Sequence, residues 1–351
     1  MRALPPGSQA TAVLSGCHMA PSTARPCGPF FLGSRQGNAR GFRYHAPMQL
    51  KTILINKLAH ATLAAAVLAL AGCGALRSPP PSSLAADALD APAWLQHLER
   101  FDRAQPLPAI LLLGEQHDAP AHQQWERDTI QTLARDGRLA AVVLEMAHAG
   151  TDSRALDRNP SENDVQAALQ WNAAGWPWER YASVVMAAVQ AGVPVYGGNL
   201  PRSAMRSVMQ QAHWDQHLPS EAWERQRDAI RIGHCGLLPE AQLTPMARIQ
   251  LAKDERMTQT AKALLQPGKT VLIVAGRGHV LREVGIPTWL PAHITTGVAV
   301  AQAQGAEPTR VSDRDWLVHT PAIPAEDHCA ALRAQWKDGA PGANRPAAKQ
   351  P

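Results

Sequence analysis

The 351-residue sequence predicts an α/β domain: a mostly parallel sheet covered by helices, with a smaller helical subdomain inserted. Three observations predict it. Four short apolar runs are continuous rather than alternating, as strands buried on both faces are. Segments of helical periodicity lie between them. A stretch at about residues 201–265 then carries several helical segments and no strand run.

The elements follow in chain order. Ala109–Leu113 (AILLL) is the first buried strand. In Ala121–Arg135 the residues Trp125, Thr129, Ile130 and Leu133 recur at near-helical spacing. Ala140–Leu144 (AAVVL) is the second strand, and Glu179–Gln190 is a helix with Val184, Val185, Ala188 and Val189 on one side. Val193–Tyr196 (VPVY) is the third strand. Ser203–His213, Ser220–Ile232 and Pro245–Leu265 are the inserted helices. Thr270–Ala275 (TVLIVA) returns to the sheet, and Ile286–Leu290, His293–Ala303 and Asp315–Thr320 read as closing strands. The domain spans 91–335, and the Pro-, Gly- and Ala-rich residues 336–351 read as a disordered tail.

Composition excludes several classes. Apolar residues make up 45% of the chain and charged residues 18%, which is neither disordered nor polytopic. The net charge of +5 suggests nucleic-acid binding only until its distribution is seen. Residues 1–72 hold seven Lys or Arg and no acid, and the remainder carries 27 basic against 29 acidic residues. No basic surface is left to follow a phosphate backbone, so no nucleic-acid partner is expected.

The basic excess belongs to a leader. In residues 48–72, Lys51 and Lys57 precede an apolar run, Ala61–Leu70, too short to span a bilayer comfortably. Leu70-Ala71-Gly72-Cys73 then reads as a lipobox, with Cys73 lipidated after cleavage. Gly74 in the following position points to the outer membrane, facing the periplasm. Residues 1–47 read as a mis-assigned extension ahead of a true start at Met48, and 73–90 as lipid anchor and tether. With Cys73 lipidated, Cys235 and Cys329 remain in an oxidising compartment and form a plausible disulfide, with two separate buried thiols as the alternative. No CxxCH or CxxC occurs, so covalent haem attachment and a structural zinc site are excluded.

The chemistry collects at strand ends. The first strand runs into Gly114-Glu115-Gln116-His117, the second into Glu145-Met146, the third into Gly197-Gly198-Asn199-Leu200-Pro201-Arg202, and the fourth into Gly276-Arg277-Gly278-His279. Open parallel sheets bind ligands at that edge. Two His and one Glu suit a divalent metal or acid–base work. A His capping the following helix is the plainer reading of either histidine alone. On the Pro245–Leu265 helix, Gln250, Asp254, Met257 and Ala261 share one face, which suggests burial near the site or a solvated face.

GEQHDAPAHQ, LEM, WPWERY, the NLPR segment, GHCGLLP, QLAKDERM and AGRGHVLREVGIP occur in order between about residues 107 and 332. In these segments the chain resembles the ChaN-like family, the haem-binding lipoprotein group within the Tiki/erythromycin-esterase superfamily. The resemblance implies an α/β domain with a smaller helical part, haem binding, a role in iron acquisition, and homodimers that enclose haem. For the Tiki branch it implies a metal-dependent peptidase that would use His117, Glu145 and His279.

Haem needs an axial ligand, an apolar slot and cations near its propionates. Tyr181 is a phenolate candidate, or else a core-packing helix residue. Tyr196, inside a strand, reads as core. His234 is a second axial candidate, or a helix cap; His117 and His279 are further ones. Arg180 and Arg202 could neutralise propionates, with Asn199 beside them. Trp171, Trp176 and Trp178 could stack on a macrocycle or fill a core. The leading expectation is a lipid-anchored haem carrier with no catalysis required. The alternative is a metal-dependent hydrolase in which His117, Glu145 and His279 hold the ion and Glu115 is the base. A non-catalytic scaffold lipoprotein is the third.

Overall fold

The computed structural model describes residues 88–102, 105–324 and 327–337. The extension, the leader, the lipobox and Cys73 lie outside the described residues, as does 338–351 of the tail. No described helix is long and apolar enough to cross a membrane.

Among the described residues, seven strands form one sheet, every neighbouring pair parallel. They are β1 (Ala88–Asp90), β2 (Ile110–Glu115), β3 (Leu139–His148), β4 (Val195–Asn199), β5 (Thr270–Gly276), β6 (Thr296–Ala303) and β7 (Trp316–Thr320), in the order β1-β7-β6-β2-β5-β3-β4. The continuous apolar runs have a direct cause. Successive strand residues point to opposite faces, and both faces are covered. Leu111, Leu113, Val142, Leu144, Leu272 and Val274 face one layer of core. Ile110, Leu112, Val143, Val271 and Ile273 face the other.

The first layer is capped by α1 (Ala91–Glu99), α2 (Pro120–Arg135), α3 (Glu162–Ala168) and α4 (Trp178–Gln190). The second packs under α7 (Glu240–Ala263), through Met257 and Ala261, and under the single turn α8 (Arg277–Val280). The inserted region contributes α5 (Arg202–Met209) and α6 (Ser220–Gly233). It has its own small core of Val208, Trp214, Leu218, Ile249 and Leu251. Arg248 on α7 grips Asp215 with two bonds of 2.7 and 2.6 Å and donates to the Met209 carbonyl at 2.7 Å. His217 stacks flat on Trp289 with ring centroids 3.4 Å apart.

Four expectations change. Ile286–Trp289 is a 3₁₀ turn, because Pro287 has no N–H to give a ladder and suits the first position of a helical turn. The tether ends in β1, whose three residues pair with β7 and are too few to show a period. The last inserted helix starts at Glu240, behind Pro239, so that Leu243 and Ala247 are buried and Pro245 sits inside it. The segment read as tail from 336 begins within α9 (His328–Lys337).

Cys235, just past α6, is joined to Cys329 at the start of α9, with Cα atoms 5.7 Å apart across 94 residues of sequence. On the loop-closure argument, a Cys235→Ser, Cys329→Ser double variant loses roughly 4–5 kcal/mol of stability. Urea unfolding checks this, and an unchanged midpoint would refute the loop-entropy account.

Candidate functional site

The strand order sets β2, β5 and β3 side by side, so their C-terminal ends form one patch. The β3–β4 ladder pairs Leu144 with Gly197 and resumes only at His148 with Asn199. Glu145 lies in that irregular stretch, where a bulge re-aims side chains. Its buried carboxylate accepts the Gly276 N–H on Oε2 at 2.9 Å. On Oε1 it meets His279 Nε2 at 3.2 Å and Lys253 Nζ at 3.4 Å. His117 Nε2 stands 3.7 Å from Oε2. Burial pushes the Glu145 carboxyl up, but the charges of His279, Lys253 and His117 outweigh it and hold it well below the usual range.

His279 is clasped from both sides, since its Nδ1 lies 2.6 Å from Asp254 Oδ1. Burial opposes its charge, yet Glu145 and Asp254 together raise it to about 10. Asp254 is itself pushed up to about 6 by burial, against the pull of His279. Lys253 and Asp254 are consecutive on α7, so one helix supplies both the cation for Glu145 and the anion for His279.

Glu115, at the end of β2, forms a second centre. Its Oε1 lies 2.8 Å from His117 Nδ1 and accepts the Tyr181 hydroxyl at 2.8 Å, while Gln123 donates to Oε2. Burial works against charge on His117, but its bond to Glu115 and the field of Glu145 raise its pKa. The Trp176 ring sits edge-on to His117 at 4.8 Å and touches Tyr181 at 6.0 Å. Gly276 lets the backbone approach His117 closely, because a Cβ at that position would lie 2.7 Å from His117 Nε2 and the ring would have to move. Under the loop, His122 takes the Gln116 N–H on Nδ1 at 2.9 Å, and burial lowers its pKa to about 4, which keeps it neutral.

Above these groups lies a hollow of about 710 Å³. Its apolar wall includes Ile232, Ala301, Ala303 and Ala306, and its polar lining includes His117, Arg277 and His328. Ile232 is 76% exposed, which is unusual for a large aliphatic side chain. The disulfide forms part of the same wall. His328 pairs with Asp118 at 3.1 Å.

Glu115, His117, Glu145 and His279 thus converge as their strand ends suggested. The other expected contacts are corrected. Tyr181 is fully buried with its hydroxyl bound to Glu115, and burial beside that carboxylate raises its pKa far above normal, so it offers no open phenolate. His234 caps α6, its Nδ1 2.8 Å from the Ile230 carbonyl. Asn199 is buried and donates to the Glu145 carbonyl at 2.7 Å, tying β4 to β3 rather than facing a ligand. Arg202 is exposed at the start of α5 and does not line the hollow. Arg180 instead reaches the His117 carbonyl at 3.1 Å. The metal reading finds no support. Both ring nitrogens of His279 face carboxylates, which leaves no lone pair, and among the described residues no three His, Cys, Asp or Glu side chains are set to hold an ion.

Lys253, Gln123, Ile232 and His328 were not singled out from the sequence. Lys253 had a signal available, as the neighbour of Asp254 on a helix face that was singled out. The others had none, because their partners are brought near by topology.

The family model described as haem-binding uptake, Tiki superfamily, ChaN matches residues 107–290. Among solved structures, the one titled "Cofacial heme binding to ChaN of Campylobacter jejuni" aligns with a TM-score of 0.51 and 21% identity. The alignment covers 65% of this chain and 94% of that one, and shows a shared fold. The type III effector HopBA1 aligns with a TM-score of 0.35 and 11% identity over 61% of this chain and 88% of its own, too weakly to support an argument. Comparison with curated proteins gives no match.

The charge of His279 has a measurable signature. Its folded pKa lies above the unfolded value of 6.5, so its stabilisation is complete below pH 6.5 and fades as pH rises towards about 10. Its ring resonances should therefore stay constant from about pH 5.5 to 8.5, and His279→Gln should flatten the loss of stability above pH 7. A ring that titrates near neutrality would contradict the paired arrangement.

Proposed function

The chain belongs to the haem-binding uptake family of ChaN, in the Tiki superfamily, and on that footing we propose that it binds haem in the hollow at the C-terminal edge of its sheet. One observation carries the reading. His117 is anchored through Nδ1 on Glu115, its side chain is 34% exposed and lines the hollow, and its Nε2 makes no hydrogen bond among the described residues, Glu145 Oε2 standing 3.7 Å away.

The donor set fits a haem. The hollow's volume lies in the usual range for small-ligand sites. Ile232 and the three alanines give an apolar face against which a macrocycle could lie. Arg277 on the rim offers a cation to a propionate. His117 would hold the group through Nε2, its tautomer fixed by Glu115 and its ring braced by Trp176. Bound haem supplies a redox-active iron that accepts an axial nitrogen donor.

Lipid attachment at Cys73, an outer-membrane address facing the periplasm, and haem storage or hand-over in iron acquisition belong to the same proposal. The lipobox Leu70-Ala71-Gly72-Cys73 supports the first, Gly74 after the cysteine supports the second, and family membership supports the third. A homodimer closing over haem is proposed as well, since exposed Ile232 on the rim is a surface that a second copy would cover.

Hemin titration followed in the Soret region tests the reading. Native protein should saturate at micromolar or tighter affinity, and His117→Ala should weaken binding by at least about tenfold. Tyr181→Phe should stay close to native, because the ring is fully buried behind Glu115 and does not itself line the hollow. Binding that never saturates overturns the haem reading.

A further inference from the structure

We propose that α9 is a redox-released strap on the ligand hollow: the Cys235–Cys329 disulfide holds the start of the helix as part of the hollow's wall, and a dithiol reductant that cuts the bond frees the helix and speeds release of the ligand. The strap stands on its own geometry; what it does to haem rests on the haem reading.

Two neighbouring residues make this part of the wall. His328 and Cys329 open α9, and both line the hollow. Each reaches a different element. Cys329 is bonded to Cys235, just past α6, where Ile232 belongs to the same lining. His328 Nε2 lies 3.1 Å from Asp118 Oδ2, in the β2–α2 loop next to His117. The start of α9 therefore bridges the inserted helices and the loop that carries the site.

Little else holds the helix. Among the described residues, its other polar side-chain contacts stay within its own segment: Asp327 accepts from Arg333 at 3.2 Å and from the Ala330 N–H at 2.9 Å. None of the described α9 side chains is buried, and none enters a hydrophobic core. The His328 side chain is 62% exposed, and exposed ion pairs hold little. The disulfide is the tie that keeps α9 against the body.

The bond is also within reach. Both half-cystines are only half-buried, on the lining of the hollow. A dithiol reductant attacks one sulfur as its thiolate, forms a mixed disulfide and leaves as its own cyclic disulfide. Its two electrons and two protons end on the thiols of Cys235 and Cys329. The freed helix takes part of the wall with it, and a ligand that loses contacts leaves faster.

Hydrogen–deuterium exchange read by mass spectrometry tests the strap. The full chain is compared with the same protein reduced by dithiothreitol, alkylated with iodoacetamide and desalted. Amides of α9 should exchange at least about tenfold faster after reduction, with those of β2 and β5 unchanged. Hemin transfer to apomyoglobin should then quicken by about fivefold or more. Cys329→Ser should have the same effect without an alkyl group in the hollow. Exchange in α9 that reduction leaves unmoved overturns the proposal. So does exchange that rises equally in β2 and β5, which is global unfolding. Faster α9 exchange with unchanged hemin release overturns the control of release and leaves the haem reading standing. Should Cys329→Ser fail to fold, the reduced native protein still decides. A native protein with no saturable hemin binding overturns the haem reading, and α9 exchange then judges the strap by itself.

Discussion

The arrangement at the sheet edge depends on one buried charge, the carboxylate of Glu145. Taking a carboxylate out of water costs several kcal/mol unless partners replace the solvent. Most of its neighbourhood follows from that need. Gly276 brings its N–H to Oε2, and the absence of a side chain there leaves room for His117. His279 must be charged, and Asp254 keeps it so. Lys253 and Asp254 are adjacent on α7, so this helix can dock in one register only, with Met257 and Ala261 under the sheet. The break in the β3–β4 ladder turns the Glu145 side chain towards all of these.

Two anions within 4 Å of one histidine serve different ends. Glu145 closes a network of charges that holds β3, β5 and α7 together. Glu115 accepts from the neutral donors Tyr181 and Gln123 and pairs with the ring of His117. The difference comes from the helices on the two sides of the sheet. The first layer brings Tyr181 and Gln123 to Glu115, and the second brings Lys253 and Asp254 to Glu145 and His279.

Much of this was legible in the sequence, for a physical reason. A strand buried on both faces must be continuously apolar, so the point where AILLL gives way to Gly-Glu-Gln-His marks both a strand end and a polar edge. Glu145 and His279 were legible in the same way. Asp254 was readable from a helical face shared with Met257. Orientation was not readable. The period of α4 places Tyr181 on the inner face, yet it cannot show that its hydroxyl meets Glu115, 66 residues away in sequence, instead of an open slot. The apolar run at Ile286–Leu290 has strand composition, and only the proline within it argued for a turn. Ile232 looked like the end of an amphipathic helix, and its exposure arises from where α6 stops, above the hollow.

The edge strand β1 has a consequence for how the domain assembles. The first strand of the described chain pairs with the last, Ala88 beside Leu317, while the middle of the sheet is built from β2, β5 and β3. That edge cannot close until nearly the whole domain has been synthesised, and the loop it closes is among the longest the domain contains. Parallel pairings of such long range are slow to form and leave β7 with an open flank in the meantime. In order of synthesis, the β1–β7 pairing can therefore form only after the strand ends of β2, β3 and β5 have all been made.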